Sequence, residues 1–160
     1  MKVCVLDSPR LHGKIVCSII RELAPDAEIE LIAVTDRGGH ANNEDLCRGL
    51  VYALFGDFDI VNISLGLPSM SKEVEDIIDK LVSKGVVICC ASGNGVSCYP
   101  SLHTKCISVG ALDADGNIAS YSAEADVYEL DSVEYNGKMY FGTSFACARY
   151  TGKLSKEKLI

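Results

Sequence analysis

Residues 86–95 read VVICCASGNG: six apolar residues in a row, then a turn of small polar ones. A half-exposed strand would alternate apolar with polar. An unbroken run bounded by Gly85 and by Ser92-Gly93-Asn94-Gly95 describes a strand covered on both faces, the habit of parallel sheets. Upstream, 71–84 (SKEVEDIIDKLVSK) has helical spacing of apolar residues and stops at Gly85, and 59–64 (DIVNIS) reads as another strand. The same alternation continues to the N-terminus, with strands at 3–6 and 29–34 and helices at 13–23 (ended by Pro25) and 43–55. Glu44 and Asp45 fall in the first turn of that second helix, where the dipole favours acids. Downstream, 106–111 (CISVGA) supplies one more strand. Between 113 and 142, Gly116-Asn117 and Asn136-Gly137 signal turns, Lys138–Phe141 a short returning strand, and a last helix begins near Ser144. The expectation is an α/β fold: one domain over 1–160, a mostly parallel sheet with helices on both faces.

In such sheets ligands bind beyond the carboxyl ends of the strands. The residues there are Asp7, the Ser64-Leu65-Gly66 turn, the Ser92–Gly95 turn, His12-Gly13 ahead of the first helix, and Gly142-Thr143-Ser144 ahead of the last. Each has an ordinary structural role open to it. Asp7 suits a loop, His12 a first helical turn, Ser144 a helix cap, and Asn94 a left-handed turn. Together they supply what acyl transfer to a hydroxyl requires: a nucleophile, a base, a carboxylate to orient the base, and an oxyanion donor.

Composition narrows the field. The chain has 160 residues, 22 acidic against 15 basic, for a formal charge of −7. That balance argues against nucleic acid and against a polybasic membrane contact, and favours a basic or neutral partner. With 48% hydrophobic residues the chain can form a core. No apolar run reaches the length that spans a membrane, and the four-residue run at 3–6 is not a signal peptide. Six of the eight cysteines (Cys4, Cys17, Cys47, Cys89, Cys90 and Cys147) sit in apolar runs as small hydrophobes. Reduced thiols and a cytoplasmic location are expected.

Several segments carry a family resemblance. VCVLDS (3–8), HGKIV (12–16), VNISLGLPS (61–69), VVICCASGNG (86–95), YPS (99–101), ISVGALD (107–113), IASYSAEADV (118–127) and GTSFACA (142–148) resemble, in order, the motifs of the subtilases, the subtilisin-like serine proteases. The order Asp, His, Ser is that of subtilisin. The resemblance implies a subtilisin-like fold, with Ser144 as nucleophile, His12 as base and then acid, Asp7 as orienter and Asn94 as oxyanion donor. It implies that Ser64, Leu65 and Gly66 offer an edge to an extended peptide. Ala91, Ser92 and Gly93 would form the second wall of the primary pocket, Cys98 would lie at its base, and Leu67 would border a neighbouring subsite.

Departures are equally specific. Only four residues separate Asp7 from His12, a shorter connection than the family's. Pro9 stands near a usual Gly, Lys14 replaces a usual Thr, and Cys147-Ala148 replaces a small residue and Pro. No inhibitory pro-region and no calcium loop is recognised, and no cofactor or metal is expected. Cys98, His103 and Cys106 have zinc-like spacing but lack an evident fourth ligand, and no phosphate-binding motif is present. His40 and His103 match no motif and read as surface or structural. The expected function is a serine endopeptidase trimming a precursor or leader peptide. The alternative is a peptide-binding module on the same scaffold, or a subunit completed by a partner. The apolar residues Leu154, Leu159 and Ile160 leave room for a homo-oligomer or partner chain.

Overall fold

A computed structural model describes residues 1–157. The elements run β1 (Lys2–Asp7), α1 (Leu11–Leu23), β2 (Glu28–Ala33), α2 (Asn43–Phe55), β3 (Ile60–Ile63), α3 (Lys72–Ser83), β4 (Val87–Ala91), β5 (Ile107–Leu112), β6 (Val127–Leu130), β7 (Ser132–Tyr135), β8 (Lys138–Phe141) and α4 (Thr143–Glu157). Strands β1 to β6 form one sheet in the order β2-β1-β3-β4-β5-β6, every pair parallel. The expected α/β architecture is the one observed, and it places helices on both faces.

Strand alternation assigns the faces. Val3 and Val5 point to a core built with Ile15, Ile19 and Ile20 of α1 and Phe145, Ala146 and Ala148 of α4. Cys4 and Leu6 point to the opposite core, with Leu46 and Leu50 of α2 and Val74, Ile78 and Leu81 of α3. β1 is therefore apolar throughout because both its faces are covered. Each of these fully buried aliphatic side chains is worth about 1.5–3 kcal/mol of transfer from water.

Helix ends follow local chemistry. Asn42 Oδ1 accepts the Asp45 N–H at 2.8 Å and caps α2, and Ser71 Oγ accepts the Val74 N–H at 3.3 Å and caps α3. Gly85 follows α3 with φ +86°, a conformation that costs a side chain dearly. Two expectations need correction. Helix α1 begins at Leu11, not Gly13, so His12 lies inside its first turn. β6 and β7 were not anticipated; β6 extends the sheet and β7 pairs antiparallel with β8 across Asn136-Gly137. Both turn residues have positive φ, +51° and +76°, as a two-residue hairpin requires. Leu154 packs against the α1–α4 core; Leu159 and Ile160 lie outside the described residues.

The sheet order also positions the site. The chain leaves β1 for β2 on one side, then returns to place β3 on the other. The connections following β1 and β3 diverge there, which opens a crevice at the carboxyl ends of these two strands.

Candidate active site

Asp7 ends β1 and His12 follows one tight turn later. The turn is closed locally: Asp7 Oδ1 accepts the Ser8 N–H at 2.6 Å, and Ser8 Oγ accepts the Arg10 N–H at 3.1 Å. Gly13 must be glycine, since a Cβ there would overlap the Ser8 carbonyl oxygen. The turn returns His12 to Asp7, with Nδ1 at 2.7 Å from Oδ1. The short connection therefore builds the pair rather than preventing it. The Asp7 side chain is 3% exposed and that of His12 41%. Oδ2 of Asp7 is buried with no partner, so the carboxylate is held through Oδ1 alone. Burial would lower the His12 pKa, but the Asp7 hydrogen bond and charge outweigh it and hold the imidazole above its ordinary value.

The other half of the crevice comes from distant segments. Ser144 lies in the first turn of α4, whose start is fixed by Gly142 at φ +153° and by Phe145 and Ala146 N–H bonds to the Gly142 carbonyl. The Thr143 N–H is taken by Asn94 Oδ1 at 3.0 Å. The Ser144 N–H remains the first-turn donor without such a partner. The Ser144 hydroxyl donates to the Ser64 carbonyl at 3.0 Å, and Ser64 Oγ donates back to the Ser144 carbonyl at 3.0 Å. His12 is brought beside this turn, its ring 5.4 Å from that of Phe145, but the hydrogen bond of Ser144 Oγ goes to Ser64.

Asn94 is oriented without ambiguity. A backbone N–H must meet an acceptor, and Thr143 offers both its N–H and its Oγ1 to the Asn94 side chain, each at 3.0 Å. The oxygen is therefore on the Thr143 side and the amide nitrogen is the free end. The turn bearing Asn94 is strapped from behind, since the Ala123 N–H binds the Gly93 carbonyl at 3.0 Å.

Asp7, His12, Asn94 and Ser144 line one cleft of about 700 Å³, together with Ser64, Leu65, Gly66, Ala91, Gly93 and Cys98. Ser92, expected in the pocket wall, and Leu67, expected to border a neighbouring subsite, stand elsewhere. Ser92 is 1% exposed, and its hydroxyl binds the Ala123 carbonyl behind the wall. Leu67 is 4% exposed, packs in the α2–α3 core and pairs with Tyr99. Cys98 Sγ sits under the floor, 3.6 Å from the Ser92 carbonyl, and a side chain on Gly66 would overlap it. Burial raises the Cys98 thiol pKa.

Several contributors were not foreseen. A buried network supports the nucleophile turn: Asn62 Nδ2 donates to Ser64 Oγ at 2.9 Å, while Thr151 Oγ1 (2.8 Å) and Cys147 Sγ (3.4 Å) donate to Asn62 Oδ1. The Asn in DIVNIS, polar within a covered strand, was the available signal. Cys147, at the departure from the family motif, belongs to this network. Arg10 and Arg37 also line the cleft, as does His40, expected to be merely surface. The net negative charge of the chain thus does not extend to its crevice. His103 is structural, Nδ1 accepting the Lys105 N–H at 3.0 Å and Nε2 lying 3.6 Å from Asp79. Among the described residues no cluster of three or more His, Cys, Asp or Glu is placed to hold a metal ion.

The subtilase family model matches residues 8–156. Subtilisin NAT of Bacillus subtilis subsp. natto is 31% identical over 146 residues, covering 81% of this chain and 38% of that protein. Among solved structures, the prenylagaramide maturation protease PagA superposes with a TM-score of 0.84 at 23% identity, over 95% of this chain and 72% of that one. A mutant of the protease domain of PatA gives 0.82 at 21%, over 95% and 76%. With this fold, this cleft and this match, the chain belongs to the subtilase family. It spans less than two fifths of the length of subtilisin NAT.

Proposed function

We propose that the chain is a serine endopeptidase that trims a specific precursor or leader peptide. One observation carries the reading: an aspartate–histidine pair bonded at 2.7 Å, a helix-start serine and an amide donor of fixed orientation face one cleft. In this chemistry Ser144 Oγ attacks the scissile carbonyl carbon and its proton passes to His12 Nε2, the nitrogen Asp7 leaves free. The carbonyl oxygen, now an anion, is met by Asn94 Nδ2 and the Ser144 N–H, and His12 then protonates the leaving amine. Water repeats the attack on the acyl-enzyme and restores the serine. PagA, a maturation protease with the same fold, supports a processing role. Eight free cysteines suit the proposed reducing, cytoplasmic setting.

One feature favours a second reading, a non-catalytic peptide-binding module: the Ser144 hydroxyl is donated to Ser64, not to His12. Labelling with a fluorophosphonate probe separates the two. The peptidase reading expects folded protein to be labelled and Ser144→Ala to be silent, with turnover lower by about 10⁴-fold or more. A folded parent that is not labelled, yet binds peptides as well as Ser144→Ala does, would establish the module instead.

A further inference from the structure

The charge facing the cleft is opposite in sign to that of the chain. Arg10 stands at the N-terminus of α1, and Arg37 and His40 lie in the loop between β2 and α2; all three line the cleft beside His12. The sole carboxylate among the lining residues is Asp7, buried and already bonded to His12. Arg48 and Arg149 are held by their own chain, through Asp45 and the Ser132 carbonyl. Among the described residues neither the Arg10 nor the Arg37 guanidinium has such a partner. The loop that presents Arg37 is itself pinned. Asp36 Oδ1 accepts the N–H groups of Gly38 (2.9 Å) and His40 (3.0 Å), and Thr35 pairs with Ala41 across the loop base. Asp36 Oδ1 lies 3.5 Å from His40 Nδ1, so the surplus positive charge on this flank belongs to the two arginines.

We infer that the Arg10–Arg37 flank is a subsite for a carboxylate of the substrate, an acidic side chain close to the scissile bond. This rests on the peptidase reading and deepens it. A peptide extended along Ser64–Gly66 presents successive side chains to opposite sides. When the residue before the scissile bond turns toward Gly93 and Cys98, the next one upstream turns toward His12 and the Arg37 loop. A guanidinium offers a planar pair of donors that matches a carboxylate. Both arginines are exposed, so the contact is open to screening by salt.

The experiment uses binding, so that it does not depend on turnover. Fluorescein-labelled, C-terminally amidated peptides carry one Glu, or its Gln twin, walked through each position, and are titrated against Ser144→Ala protein by anisotropy. At one position Glu should bind about tenfold more tightly than Gln, equivalent to about 1.4 kcal/mol. The ratio should shrink at high salt and fall close to one in the Arg10→Ala/Arg37→Ala variant, its fold checked by circular dichroism. A neutral peptide with a free C-terminus forms the second arm. If it alone gains the tenfold, the carboxylate subsite stands but its occupant is a chain end. Equal affinities for all twins, no binding by any acid-bearing peptide, or a ratio that survives loss of both arginines would overturn the inference. Fluorophosphonate labelling of the parent tests the peptidase reading separately.

Discussion

The two halves of the cleft are made by opposite means. Asp7 and His12 are five residues apart, and their bond is fixed by one turn and the first residues of α1. Ser144 meets Ser64 across 80 positions and Thr143 meets Asn94 across 49, so that half exists only when α4 is docked on the finished sheet. Closing long loops costs more entropy than closing short ones, and the cost is recovered only through packing. The acid–base half can therefore tolerate a connection of four residues, because its geometry is local. The Ser144 half depends on the buried Asn62–Ser64–Thr151 network, because nothing local brings Ser144 to Ser64.

Substitutions can break each half separately. With the nucleophile itself left in place, the largest effect is expected in the local half, from Asp7→Asn. The Asn amide can present an N–H to His12 Nδ1, which then leaves the proton on Nε2, the wrong tautomer for a base. A fall of about 10⁴-fold in kcat is expected, and because the same position also accepts the Ser8 N–H, Tm should fall too; steady-state kinetics and a melt measure both. In the distant half, Asn94→Ala removes the proposed oxyanion donor and should cost about 10²–10³-fold in kcat with a smaller change in KM. It also strands the Thr143 N–H, so Tm should fall as well. If Asn94→Ala leaves kcat within a few-fold of the parent, its amide is not the oxyanion donor.

Third in size is Gly13→Ala, which tests whether the turn alone sets the Asp7–His12 distance. Its Cβ would push on the Ser8 carbonyl, a backbone atom with little freedom to yield. Overpacking of this kind costs about 1–3 kcal/mol, several degrees of Tm for a chain of this length. The variant should also lose activity beyond what its folded fraction explains. A variant as stable and active as the parent would show that the turn can relax without disturbing the pair.

The same contrast explains what the sequence disclosed. β1, β3 and β4 were legible because two covered faces leave no polar gaps, and α3 because Ser71 and Gly85 mark its ends. The start of α1 was not, because Arg10 precedes it without a capping side chain and Pro9 reads as loop. β6 and β7 were missed because four-residue, half-exposed strands carry almost no periodic signal. The residues that could act chemically stood out by type and by position after strands. Their surroundings did not. That Arg37 reaches the cleft depends on β2 lying beside β1, and that Leu67 and Ser92 turn inward depends on Tyr99 and Ala123, none of which a local pattern states.

The smallest expected effect is the most diagnostic of the local half. His12 has two opposed influences, burial lowering its pKa and Asp7 raising it, with Asp7 prevailing. The proposed base must be neutral, so the acid limb of kcat/KM should lie above about 6.5, the ordinary histidine value. Stability runs the other way. A pKa raised by folding contributes stability below the unfolded value, and the contribution is lost as pH rises through the folded one. Between these two values activity should therefore climb while the His12 contribution to stability fades. In Asp7→Asn burial acts without the countercharge, and the pKa should drop below 6.5. With three histidines in the chain, an NMR titration of the imidazoles can follow His12 in both proteins without needing turnover. An unchanged His12 midpoint on losing Asp7 would mean that their 2.7 Å contact does not govern the base, and that the local half is held by the turn alone.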